Sequence, residues 1–177
     1  MDDIFIENLV KKRNTASSIA MRIIIMILGG LLAVPFLYLA FTGFFSGFMV
    51  LLAIGSIYGA YRLAVLFNIE FETSFTNGLF DVDKIINKSS RKRLISVQCK
   101  DVIEMGVYKP EQQKTKTYKT RIIACDSELS DDVWFLVTNH STLGRSLVVF
   151  NMTDKLMSSF KSFVPREVAF TAFGGRF

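Results

Sequence analysis

The chain has 177 residues, of which half are hydrophobic and 21% are charged, and its formal net charge is +5. So many charges exclude a wholly membrane-buried bundle, and so many apolar residues exclude a disordered chain. Two cysteines and a single histidine exclude a small disulfide-stapled fold and a histidine-rich metal site.

Residues 1–18 are predicted to form a separate cytoplasmic or interfacial segment. Ile4, Phe5, Leu9 and Val10 are followed by a basic run at residues 11–13. An apolar face beside a basic end suits the surface of a membrane, so we expect a short amphipathic piece here. A frayed terminus is the alternative interpretation.

Two apolar runs, residues 23–41 and residues 43–61, each contain 19 residues without a charged side chain. A helix rises about 1.5 Å per residue, so each run reaches roughly 28 Å, which is close to the hydrocarbon thickness of a bilayer. The sequence therefore predicts a transmembrane helical hairpin over residues 19–67, with a very short uncharged turn. Pro35 lies inside the first run and is expected to kink that helix or to end it early. The alternative is a single long buried helix of a soluble protein.

Basic residues flank this hairpin on both sides, while its turn is uncharged. The positive-inside rule therefore predicts a two-helix protein of the cell membrane with both termini in the cytoplasm. A signal peptide fits poorly, because the N-terminus begins with acidic rather than basic residues. The flanking cations are Lys11, Lys12, Arg13 and Arg22 before the hairpin, and Arg62, Lys84, Lys88 and residues 91–93 after it.

Glycines recur with four-residue spacing in the second apolar run, at Gly43 and Gly47 and again at Gly55 and Gly59. This spacing lets helix backbones approach closely in lipid, so we expect helix packing at these positions. The contact is either self-association between copies of the chain or packing within one hairpin.

Residues 68–177 are predicted to form one cytoplasmic domain. Period-two alternation and turn signals divide most of it into seven strands, including a tight hairpin at Asn77-Gly78, where both residue types tolerate positive φ. Helical spacing after Thr153, a candidate cap, and a stop at Pro165 indicate one amphipathic helix. Residues 109–116 are expected to form an exposed loop, and the tail from residue 166 has no clear pattern. The strands are predicted near residues 69–75, 79–86, 93–99, 102–108, 118–125, 133–137 and 146–150.

Seven antiparallel strands followed by one helix are typical of the pleckstrin-homology architecture, in which bent sheets form a half-open barrel and the helix closes one end. The predicted fold class is therefore α+β, with a transmembrane helical hairpin preceding a pleckstrin-homology-like half-barrel. An ordinary α+β roll is the alternative.

Several strings of residues carry a resemblance to known families. The chain resembles the bacterial membrane-anchored pleckstrin-homology-like proteins, and its beginning is similar to that of an uncharacterised bacterial family of small two-helix membrane proteins. The resemblance covers most of the chain and concerns turns and strand patterns, so it implies the fold and no functional residues. The strings are Phe75-Thr76-Asn77-Gly78-Leu79, Asp83-Lys84-Ile85, Arg93-Leu94-Ile95-Ser96, Val102-Ile103 and, at the start, Phe5-Ile6-Glu7-Asn8-Leu9-Val10-Lys11-Lys12.

The sequence contains no catalytic, metal-binding or cofactor-binding motif that we recognise. His140 lies in a polar turn, Cys99 and Cys125 lack the spacing of zinc ligands, and no glycine-rich phosphate loop is present. The pair Asp81 and Asp83 shares one strand face, which favours a solvated surface over a metal site. We therefore expect no cofactor and no enzymatic activity.

One basic cluster flanks the turn between the second and third predicted strands. Cations near an anionic leaflet each contribute about 1 kcal/mol, so these residues are candidates for contact with lipid headgroups. A solvated charge run that only helps to set the topology is the alternative. The cluster comprises Lys84, Lys88, Arg91, Lys92 and Arg93.

These observations predict a non-enzymatic, membrane-anchored binding or scaffolding protein. Its cytoplasmic domain is expected to contact anionic lipid headgroups or a protein partner, and a homo-oligomer is a further candidate. The alternative is a small accessory subunit of a membrane transporter or membrane enzyme complex. Residues 68–177 carry 16 basic and 13 acidic side chains, and this balance gives no reason to expect nucleic acid as a partner.

Overall fold

The structure is a computed structural model that describes residues 4–43 and 45–174. It confirms the predicted α+β class, with two long apolar helices near the N-terminus, two β-sheets and helices at the C-terminal end. The chain divides into two compact units. One, the hairpin unit, contains residues 14–69, and the other, the sheet unit, joins the residues before it to those from Glu70 onward.

The hairpin unit consists of α1, Ala16–Phe41, and α2, Ser46–Val65. Both helices are long and apolar enough to cross a membrane, and only 11% and 17% of their most apolar windows are buried. Helices of a soluble core would be mostly buried, so the exposed apolar surface favours lipid as their surroundings. The helix α1 continues through Pro35 to Phe41, so of the two expected effects of this proline an early end does not occur.

The two helices approach each other closely at Gly29. A Cβ added there would lie 2.2 Å from the Cβ of Ala60, and the Ser56 hydroxyl donates a hydrogen bond to the Gly29 carbonyl over 3.3 Å. The four predicted packing glycines differ, because a Cβ on any of them would meet no atom within 4 Å. They are Gly43, Gly47, Gly55 and Gly59, so the hairpin's close approach lies elsewhere.

The sheet unit begins with a strand that the sequence analysis did not predict. β1, Phe5–Lys11, pairs antiparallel with β2, Ile69–Thr76, from Phe5 opposite Thr76 to Lys11 opposite Glu70. Ile6 and Val10 are half-buried and alternate with exposed residues. This period of two places both side chains on the same, less exposed face of the strand. The described part of this segment is therefore an edge strand of the sheet unit and not the separate piece that was expected.

The first sheet continues with β3, Leu79–Ile86, and β4, Ser90–Gln98, in the order β1-β2-β3-β4. The turn between β2 and β3 has positive φ at Asn77 (47°) and Gly78 (87°), which confirms the predicted tight hairpin.

The second sheet has the order β5-β7-β8-β6. Its central pair is antiparallel, whereas β6 lies parallel to β8, so the expectation of a uniformly antiparallel barrel is wrong at this edge. A parallel pair needs a crossover, and the chain supplies one between β6 and β8 by passing through β7. All seven predicted strands are present, and β1 is an additional one. The strands of this sheet are β5 (Val102–Val107), β6 (Thr120–Ala124), β7 (Val133–His140) and β8 (Gly144–Asn151).

Aromatic side chains from both sheets meet the first C-terminal helix in the core. Thr153 accepts a hydrogen bond from the Leu156 amide, which confirms the predicted cap of α4, Asp154–Phe163. Phe80 packs against Phe160, with ring centroids 5.1 Å apart. A second helix, α5, Arg166–Phe173, occupies most of the tail that had no clear pattern; residues 175–177 lie outside the described residues.

Residues 109–119, here called the strap, cover the opposite face of the second sheet. The strap contains a short helix, α3, Pro110–Lys114, in which Gln113 is 2% exposed. The expected exposed loop at residues 109–116 is thus partly a covering segment, because β7 is apolar on both faces and both must be removed from water. Tyr108 and Tyr118 pack against the covered cluster of Cys125, Val133, Phe135, Val137, Leu147 and Val149.

Candidate binding surfaces

The basic cluster predicted from the sequence lies on the β3–β4 hairpin, where strand pairing divides it into two sets. Asp83 is opposite Arg93, and Lys84 is opposite Lys92. Residues that are opposite each other in a sheet point to the same face, so the carboxylates and arginines are separated from the lysines.

Both arginines of this cluster are engaged by carboxylates. Arg91 forms ion pairs with Glu72 and, at 3.0 Å, with Asp83. Arg93 binds Asp83 and Asp81, each at 2.9 Å. A hydrogen bond with Asp83 raises the pKa of Arg93 above its usual value against an opposing effect of desolvation, so this guanidinium stays charged. Arg91 and Arg93 are therefore neutralised locally and do not offer free charge to a lipid headgroup.

Three lysines of the cluster are without an ion pair within the described residues: Lys84, Lys88 and Lys92. Lys88 and Lys92 are exposed, and Lys84 is half-buried. Lys84 and Lys92 lie opposite each other and repel one another because both are positively charged, and a nearby anion would relieve that repulsion. These three residues, here called the lysine tip, keep the predicted basic character of the turn.

A second basic surface surrounds Tyr118 and was not recognised as a site in the sequence. The guanidinium carbon of Arg121 lies 5.2 Å from the centre of the Tyr118 ring, and that of Arg145 lies 5.8 Å from it. The Lys119 amide donates a hydrogen bond to the Arg145 carbonyl, so Lys119, an exposed cation that follows Tyr118 in the chain, pairs with the backbone of Arg145. We call Tyr118, Lys119, Arg121 and Arg145 the Tyr118 surface.

One signal in the sequence pointed to this surface. Residues 109–121 contain five basic side chains and one acidic side chain, Glu111, a stronger bias than in the cluster on β3 and β4 with its aspartates. Arg145 is far away in the chain, and only the parallel pairing of β6 with β8 brings it to Tyr118.

A partly buried polar network ties the N-terminal segment to the second sheet. The Asp126 carboxylate accepts hydrogen bonds from Asn151 (2.8 Å) and Ser130 (3.0 Å) and forms an ion pair with Arg13 at 3.1 Å. Burial alone would raise the pKa of Asp126, but these hydrogen bonds, one from the Ser127 backbone and the charge of Arg13 outweigh it and lower that pKa. The carboxylate is thus held ionised as an anchor for the segment.

The remaining polar candidates have structural surroundings. Cys99 and Cys125 are buried and unpaired, and burial raises the pKa of each thiol to about 12, so neither is a ready nucleophile. The Nδ1 atom of His140 accepts a hydrogen bond from the Thr142 amide within its turn. Within the part of the chain that the structure describes, no group of three or more His, Cys, Asp or Glu residues is arranged to hold a metal ion.

The chain belongs to a family described as a bacterial PH-like domain (DUF6106), whose model matches residues 2–170. The match includes β1 and both helices of the hairpin as well as the two sheets. Neither the curated proteins nor the solved structures contain a match to the chain. PH-like domains are generally non-enzymatic, so membership suggests a binding or scaffolding role, and the two apolar helices suggest association with a membrane.

Proposed function

We propose that this protein is a non-enzymatic, membrane-anchored binding module whose PH-like domain contacts anionic lipid headgroups at the cytoplasmic surface. The observation that carries the proposal is the combination in one chain of two bilayer-length helices and a PH-like domain with an unneutralised lysine tip. Contact with a protein partner is the other binding role that a PH-like domain suggests.

The pairing of β1 with β2 supports the hairpin topology. These strands precede and follow the two apolar helices, yet they lie side by side in one sheet, with Lys11 opposite Glu70. Two strands of one sheet fold on the same side of a membrane, so the segment between them crosses the bilayer an even number of times. The basic flanks then favour the cytoplasmic side for that sheet.

The lysine tip supports contact with lipid rather than a purely structural role. Its cations have no carboxylate partner among the described residues, whereas the neighbouring arginines are paired on the other face of the hairpin. Lys88 has φ of 55°, an uncommon conformation for a residue other than glycine, and it lies exposed at the turn. Lysines exposed at the end of a rigid hairpin can reach phosphates without disturbing the core.

The proposal is tested with the full-length protein held in nanodiscs of neutral phosphatidylcholine. Co-sedimentation with vesicles of phosphatidylcholine and phosphatidylglycerol is measured over a salt series. We expect weak binding that falls steeply toward physiological salt, where the Debye length is about 8 Å. The double variant Lys88→Gln/Lys92→Gln should lose most of this binding.

A matched control variant shows whether any loss of binding is specific to the lysine tip. Lys100→Gln/Lys155→Gln removes the same charge from two exposed lysines elsewhere on the sheet unit and should bind as the wild type does. Equal binding by both double variants, or no binding of the wild type even at low salt, would contradict headgroup contact through the lysine tip.

A further inference from the structure

The Tyr118 surface has a fixed geometry that a loose run of surface lysines lacks. Arg121 lies opposite Leu147 in the parallel pair, and Leu147 belongs to the apolar cluster under the strap, so Arg121 is on that outer face of the second sheet. Arg145 precedes Leu147 by two positions and has the same orientation. Both guanidinium groups therefore lie on one face of the sheet beside the Tyr118 ring.

The strap holds one of these cations in place. Arg121 donates hydrogen bonds from one terminal nitrogen to the carbonyls of Gln113 (3.0 Å) and Lys116 (2.8 Å). The Tyr118 hydroxyl is 2.5 Å from the Gln113 side-chain oxygen, which fixes the ring against the same segment. Arginines that are stacked and hydrogen-bonded lose little further freedom when they bind a ligand.

The cations of the Tyr118 surface form no ion pair within the described residues. The strap's two ion pairs, Lys114 with Glu111 and Lys116 with Glu104, use the nearby carboxylates. Lys119, Arg121 and Arg145 take part in none of the ion pairs formed by the described residues. This distinguishes them from Arg91 and Arg93, two members of the basic cluster predicted from the sequence, because those two arginines are paired with carboxylates.

The surface also offers apolar contact. Ile123 follows Arg121 by two positions on the same face and is 40% exposed, and the Tyr118 ring is half-buried. Cations combined with an exposed aliphatic side chain and an aromatic ring match a ligand that carries both carboxylates and apolar groups.

We propose that the Tyr118 surface docks an acidic segment of a protein partner. Carboxylates of that segment bind Arg121, Arg145 and Lys119, and an apolar residue of the segment packs on Ile123. Two hydrogen bonds hold Arg121 in place, and an exposed aliphatic side chain lies on the same face, which favours a segment with carboxylates next to apolar residues over the diffuse charge of a bilayer. The inference goes beyond headgroup contact and involves none of the residues of the lysine tip.

The test measures binding of fluorescently labelled poly-L-glutamate to the full-length protein in neutral phosphatidylcholine nanodiscs. Arg145→Glu reverses one charge of the surface, and Lys155→Glu reverses one exposed charge on α4 as the matched control. We expect Arg145→Glu to weaken binding by about tenfold and the control to change it less than about twofold. Arg145→Gln, which removes the charge without reversing it, should fall between them.

Two further measurements, of unfolding and of vesicle binding, make the result decisive. Unfolding of each variant, followed through the fluorescence of Trp134, shows that the sheet unit is intact; if Arg145→Glu is unfolded, Lys119→Glu replaces it. Equal weakening by the Arg145 and Lys155 variants would overturn the proposal, since the loss would then reflect net charge alone. The proposal would equally fail if Arg145→Glu lost binding to phosphatidylglycerol vesicles and kept binding to poly-L-glutamate, because the surface would then be a lipid surface.

Discussion

Gly78 combines two separate constraints in the turn between β2 and β3. Its φ of 87° is open to glycine and strained for other residues, and a Cβ built there would lie 2.6 Å from Cδ1 of Phe163 at the end of α4. The sequence indicated only the first constraint. The second constraint comes from the packing of α4 over the hairpin, so the turn lies at the edge of the hydrophobic core.

Gly78→Ala should therefore destabilise the sheet unit by more than about 1 kcal/mol, the usual scale of a glycine effect at a compatible position. Chemical unfolding of the detergent-solubilised full chain, followed by fluorescence of Trp134, measures this. Gly106→Ala is the matched control, because its added methyl would meet Phe135 at an ordinary 3.5 Å and its φ is not positive. Unchanged stability in Gly78→Ala would show that the turn is not held in the left-handed region.

At the scale of elements, the hairpin of α1 and α2 is an insertion between two adjacent strands. Lys11 and Glu70 are directly opposite each other, so the chain leaves and re-enters the sheet at neighbouring points. Thr73 donates a hydrogen bond to the Asn8 carbonyl, and Arg13 adds its ion pair with Asp126. β1 is thus a component of the PH-like domain although more than fifty residues separate it from β2.

A chain in which a short glycine-serine linker joins Arg13 directly to Glu70 should fold as a soluble domain. Residues 70–177 without β1 should be less stable by about 2 kcal/mol, since Ile6 and Val10 together bury roughly one full side chain against the sheet. Urea unfolding of both chains through Trp134 fluorescence gives the comparison. Identical unfolding midpoints would show that β1 contributes nothing to the domain.

At the scale of the whole molecule, strand pairing and flanking charge bear on the topology in different ways. The pairing of β1 with β2 requires both of its strands on one side of the membrane, whatever that side is. The basic residues on either side of the hairpin favour the cytoplasm as that side. Under this proposed topology, the turn at Thr42 is expected to face outward.

Cysteine labelling in intact cells measures this topology. A Thr42→Cys variant should react with a membrane-impermeant maleimide from outside, and Leu129→Cys, at a position 86% exposed in the native protein, should react only after lysis. The two native thiols are buried, and a pKa of about 12 keeps them protonated at neutral pH, so the wild type serves as the unlabelled control. Labelling of Leu129→Cys in intact cells would reverse the assignment.

The sequence by itself determined the local features of this protein. Apolar runs of bilayer length, the Asn77-Gly78 turn, the seven strands and the capped helix α4 each depend on neighbours in the chain, so composition and periodicity were enough to indicate them. Its basic cluster at residues 84–93 was also a local pattern, and the lysines in it form no ion pair among the described residues, while their contact with lipid stays a prediction.

Only the tertiary structure decided which of these residues meet. The role of β1 depends on a partner beyond the hairpin, and the parallel pairing of β6 with β8 depends on how the chain crosses the sheet. The same holds for charge: carboxylates from β2 and β3 neutralise Arg91 and Arg93, while Arg145 reaches Tyr118 from a distant strand. Coulomb attraction depends on distance in space, and the distance along the chain does not reveal it.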